Sequence, residues 1–136
     1  MIVFKRMSKK VALISTFFIL GTILIFHLLI FTEQIPYDKV WAGKLNSVEE
    51  MKKFEMFSIL INIFILMILL VKFRQIKLDK RNKVIDTLIW VFAIFFALNT
   101  IGNLFSKSIV ELIFGTLLTL VLSVLCILIV KKEKLS

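Results

Sequence analysis

Cysteine, proline and glycine are nearly missing from this chain, with one Cys, one Pro and four Gly in 136 residues. A lone Cys126 excludes an intrachain disulfide and a paired CxxC redox motif, and its apolar neighbours predict a small packing residue. So little Gly and Pro beside 60% hydrophobic residues excludes a collagen-like or disordered chain. Acids are scarce too, nine against 18 Lys and Arg. A net charge of +9 would suggest a nucleic-acid partner in a water-soluble protein. Here the bases stand beside apolar runs and form no stripe interleaved with exposed aromatics, so nucleic acid is not an expected partner.

What the chain does have is long apolar runs. A membrane-spanning helix needs about 20 mostly apolar residues. Four runs meet or approach that length: Val11 to Phe31, Phe54 to Val71, Val84 to Ile101 and Ile109 to Val130. At 1.5 Å per residue the first reaches about 31 Å, enough to cross the hydrocarbon core. It is too long for the apolar region of a signal peptide, and no small-residue cleavage site follows it, so it reads as a retained helix. Ser47 and Glu50 have capping-box spacing, which predicts a helix that starts near Val48 and continues into the second run. The expected fold is an all-α membrane protein, a single four-transmembrane-helix antiparallel bundle over 1–136, embedded in a lipid bilayer. A separate soluble catalytic domain is not expected.

Bases near span ends are retained preferentially on the cytoplasmic side. Four lie in the amino tail, six between spans two and three (Lys72, Arg74, Lys77, Lys80, Arg81, Lys83) and three in the carboxyl tail (Lys131, Lys132, Lys134). The other face has Lys39, Lys44, Lys52, Lys53 and Lys107, four of them sharing the loop 32–53 with Glu33, Asp38, Glu49 and Glu50. Both termini are therefore expected in the cytoplasm, and the localisation expected is a bacterial plasma membrane, multi-pass.

Polar residues inside spans are costly in lipid and normally face other helices or a cavity. On span two Glu55, Ser58 and Asn62 share one helical face. Span three ends in Asn99 and Asn103. Span four carries Glu111, Gly115 and Thr119 at successive i+4 steps, and span one adds His27 about one turn below its outer end. With the orientation above, His27, Glu55, Asn99, Asn103 and Glu111 lie in the outer half, and Asn62 about 12 Å in from Phe54. Such a set can bind a cation, accept a proton or hold a metal as one His and two Glu. Equally, its Asn, Ser and Thr can simply link helices by hydrogen bonds. Trp41, Tyr37 and Pro36 in the outer loop suit an interfacial anchor or a cap over the bundle mouth. Asp86 is expected to be exposed at the cytoplasmic start of span three, where a carboxylate complements the helix amino end. Gly115 is expected to permit close helix contact.

The string VWAGKLNSVEEMKKFE, followed by SILIN, together with NTIGNLFSKSIVE, resembles a group of small, uncharacterised four-helix bacterial integral membrane proteins. Their outer motif usually has two glycines after the tryptophan and then a base; here Ala42 stands in the first place. The resemblance singles out Trp41, Gly43, Glu55, Asn62, Asn99, Gly102, Asn103 and Glu111, and implies no reaction, substrate or cofactor.

Three classes of function follow. The first binds or transports a small ligand or cation through His27, Trp41, Glu55, Asn62, Asn99, Asn103 and Glu111. The second is a structural or accessory subunit, associated with a membrane-protein partner or a second copy, in which these residues only join helices. A membrane enzyme is the third and least supported, because Ser58 and Ser106 lack a general base at motif spacing. No catalytic residue, cofactor or particular metal is indicated. Dimeric four-span multidrug transporters are a poor match, since the first run holds no acid and the outer loop is long.

Overall fold

A computed structural model of the chain describes residues 2–37 and 46–131, with side chains from residue 8 onward. The described residues are helical, with no strand, and form four helices long and apolar enough to cross a membrane. Trp41 and the loop residues around it lie outside the described residues.

Helix α1 is Ile2–Phe31 and α2 is Val48–Lys77, each of 30 residues. They end alike. Glu33 (φ 64°) and Asp79 (φ 57°) take the left-handed conformation usual for glycine in that place. In each case the next amide reaches back to a free carbonyl, Gln34 N to Leu29 O at 2.8 Å and Lys80 N to Gln75 O at 2.8 Å. Both closures satisfy carbonyls that would otherwise be orphaned. Helix α2 begins where the capping box predicts. Ser47 Oγ accepts from Glu50 N at 3.1 Å, while the Glu50 carboxylate accepts from Asn46 N at 3.3 Å. Helix α3, Lys83–Leu104, is capped by Asn82 Oδ1, which accepts from Val84 N at 2.8 Å. The last span opens with a π-helical turn, Glu111–Gly115, and continues as α4, Thr116–Val130.

Each helix packs on two neighbours: α1 on α2 and α4, and α3 on α4 and α2. The apolar interior runs through Leu13 and Leu20 of α1, Ile65 and Leu69 of α2, Ile89 and Phe96 of α3, and Leu122 and Cys126 of α4. Cys126 is fully buried, as expected of a packing residue. The opposite faces stay apolar and exposed, for example Phe18 (77%), Leu60 (58%) and Leu98 (62%), a pattern suited to lipid rather than water.

The buried stripe of α2 reads Met51, Glu55, Ile59, Asn62, Ile65, Leu69, Lys72. Its two charged members are seventeen residues apart, about 25 Å along a helix. Asp86 and Asn103 of α3 have the same separation. Charged groups on the buried face thus lie at two decks, separated by a distance close to the roughly 30 Å thickness of hydrocarbon.

Candidate functional site

One deck is centred on Glu55. Its residue is completely buried, and Oε2 lies 2.6 Å from His27 Nδ1, within hydrogen-bond distance. His27 keeps 21% of its side chain exposed, so the pair has one sealed and one accessible member. The seal is an apolar cluster on the helix turns just beyond the pair: Ile30 and Met51, packed by Phe26, Ile35 and Tyr37. Tyr37, an interfacial anchor or part of a cap by sequence, therefore folds onto the bundle end. A carboxylate in such a place requires a partner, because an isolated buried charge costs several kcal/mol (on the order of 3 or more).

Asn62 lies on the same stripe nearly two turns deeper, 5% exposed. Among the described residues its Oδ1 has no hydrogen-bond partner. An unsatisfied buried amide oxygen costs about 1–3 kcal/mol, so it marks a point where a donor or cation would be welcome.

The residues predicted on spans three and four form a separate set. Ser106 Oγ donates to Glu111 Oε2 at 2.6 Å, and Ser108 Oγ accepts from Glu111 N at 3.4 Å. The Asn103 carboxamide lies against Gly115, where an added Cβ would stand only 3.0 Å from its Cγ and Nδ2. Gly115 thus permits close helix approach, as expected. Below it, the Thr100 and Thr119 hydroxyls are 2.9 Å apart, and Ser123 Oγ donates to Ala93 O at 2.8 Å. Asn99 is partly buried beside this ladder in sequence, and the described residues show no side-chain hydrogen bond from it.

The π-helical turn also leaves a trace. Thr16, Thr22, Thr32, Thr100 and Thr119 each donate to the carbonyl four residues earlier. Thr116, directly after the turn, is buried at its hydroxyl and has no partner among the described residues. The Thr116 amide bonds to Glu111 O, five residues back, so the backbone at this threonine is out of the regular α register.

Two expectations are corrected. His27, Glu55 and Glu111 do not form a one-His, two-Glu metal set: among the described residues no three His, Cys, Asp or Glu gather for a metal ion. Asp86 is not an exposed helix-end carboxylate. It is 8% exposed and accepts from Lys72 Nζ at 2.6 Å and from Arg81 Nε at 2.7 Å. Arg81 Nη2 also donates to Val130 O at 3.2 Å, and Lys9 Nζ donates to Lys131 O at 2.8 Å. These contacts make the second deck, which sequence reasoning missed. The signal was present, because Lys72 continues the Asn62, Ile65, Leu69 stripe at 3, 4 and 3 residue steps.

Compared with models of protein families, with curated proteins and with solved structures, the chain matches none.

Proposed function

We propose that this protein is an antiparallel four-span bundle of a bacterial plasma membrane, its termini cytoplasmic, that binds a small cation or cationic ligand through an outward-facing site centred on Glu55. The observation that carries this reading is the fully buried Glu55 carboxylate, engaged by a partly exposed His27 at 2.6 Å inside an apolar helix end. Ionisable groups placed this way in membrane segments commonly mark ligand or proton sites. His27 provides the approach, Glu55 the charge, and the unsatisfied oxygen of Asn62 a second acceptor farther in. Orientation rests on the excess of bases around the opposite deck. The resemblance of the Trp41 loop and of the Asn99 to Glu111 segment to small bacterial four-span proteins agrees with this placement.

A second reading, a structural or accessory role joining helices or subunits, is favoured by one set of contacts. Thr100 with Thr119, and Asn103 with Gly115, make contacts between α3 and the last span, while Glu111 is held by Ser106 of the short connection between them. For these residues, we infer that linking helices is the main role.

The two readings separate in a melting experiment on the purified full chain with sodium, potassium, calcium and a primary alkylamine. A ligand present at 100 times its Kd stabilises by about 2.7 kcal/mol. The expected result is that at least one probe raises the melting temperature, that Glu55→Gln abolishes the rise, and that Glu111→Gln retains it. A rise that survives Glu55→Gln, or no rise with any probe, would overturn the site and leave the structural role.

A further inference from the structure

We propose that the Lys72–Asp86–Arg81 end of the bundle binds the phosphate of an anionic phospholipid headgroup, with Arg81 and Lys9 as its ligands. This site is independent of the Glu55 reading. The charge there is unbalanced in a specific way. Asp86 accepts from Lys72 on one oxygen and from Arg81 on the other, so one carboxylate meets two cations. The end of α2, the connection and the start of α3 then add Arg74, Lys77, Lys80 and Lys83 against Asp79 alone.

Position makes part of this charge a clamp. Arg81 bonds to Val130 O and Lys9 to Lys131 O, adjacent carbonyls at the carboxyl end of α4. A guanidinium from the α2–α3 connection and an ammonium from α1 are thereby tied to two consecutive residues at one helix end. Arg81 keeps 47% of its side chain exposed although Nε and Nη2 are occupied. A guanidinium has five N–H donors in a fixed fork that suits phosphate, so an oriented and half-exposed one is already positioned for it.

Depth and surroundings select a lipid over a soluble anion. The deck lies about 25 Å along α2 from Glu55, close to one hydrocarbon thickness, which puts it at the level of headgroups. Exposed apolar side chains begin immediately beside it, Val11 at 61% on α1 and Val84 at 66% on α3. Acyl chains can lie on that surface while the phosphate meets Arg81 and Lys9. Basic pockets between spans on the base-rich side bind such headgroups in this manner.

The test uses the full-length protein in nanodiscs of phosphatidylcholine alone and of phosphatidylcholine mixed with phosphatidylglycerol. Melting temperature and the lipid retained after mild detergent extraction are both read. The wild type is expected to melt higher with phosphatidylglycerol and to retain it. Lys9→Gln, which leaves the Lys72–Asp86–Arg81 contacts intact, is expected to lower retention about fivefold, the equivalent of roughly 1 kcal/mol per base. Arg81→Gln should lower it at least as far; if that variant fails to fold, Lys9→Gln decides alone. Equal retention by Lys9→Gln and wild type would overturn the proposal. So would reproduction of the stabilisation by millimolar inorganic phosphate in phosphatidylcholine alone, which would identify a soluble-anion site.

Discussion

Asp86→Asn is expected to lower the unfolding free energy of the bundle by about 3–5 kcal/mol, the usual cost of removing one partner from a buried ion pair. The cause is Lys72. It is 3% exposed, and Asp86 Oδ1 is the acceptor described for its ammonium. Arg81 loses its carboxylate too but is half-exposed, so water replaces most of what it loses. The expected rescue is specific: adding Lys72→Met to Asp86→Asn removes the stranded charge and should recover most of the loss, since apolar replacement of buried pairs is often neutral or better. Denaturation of the purified protein in mild detergent measures both effects. If Asp86→Asn costs less than about 1 kcal/mol, an ordinary surface effect, Lys72 is not held by a buried ion pair with Asp86.

The other deck gives the second large effect. His27→Leu leaves the fully buried Glu55 without the imidazole 2.6 Å from its carboxylate, and should destabilise by about 3 kcal/mol. Glu55→Gln in the same chain removes the charge that made the loss expensive. The double variant is therefore expected to be more stable than the two single effects would sum to, by a coupling of about 1–3 kcal/mol. Additive effects would mean that the pair is a contact without energetic weight.

The two decks differed in how readily the sequence disclosed them, for a physical reason. Spans, the Ser47 cap and the placement of Glu55 and Asn62 on one face follow from composition and local periodicity, which act over a few residues. His27 and Glu55 could be set at similar depth by counting from span ends, although their meeting at 2.6 Å depends on how α1 packs against α2. Asp86 misled because a carboxylate in a first helical turn has a sufficient local explanation in the helix dipole. Its real partners come from α2, fourteen residues back, and from Arg81 beyond the left-handed turn at Asp79. The π-helical turn at Glu111–Gly115 was illegible for a similar reason. Its last residue, Gly115, stands against Asn103, a residue of the preceding helix. Glu111 and Glu55 look alike as acids near span ends; Glu111 is held by serines three and five residues before it, whereas only the packing of α1 on α2 seals Glu55 inside the bundle.

Infrared difference spectroscopy of the carboxyl group of Glu55, recorded on the full chain as the cation that raises its melting temperature is added, addresses the proposed site most directly. The expected result is a change in a carboxyl or carboxylate band that is absent from Glu55→Gln and unchanged in Glu111→Gln. A spectrum identical in wild type and Glu55→Gln would contradict it, and Glu55 would then be a buried link between α1 and α2 and nothing more.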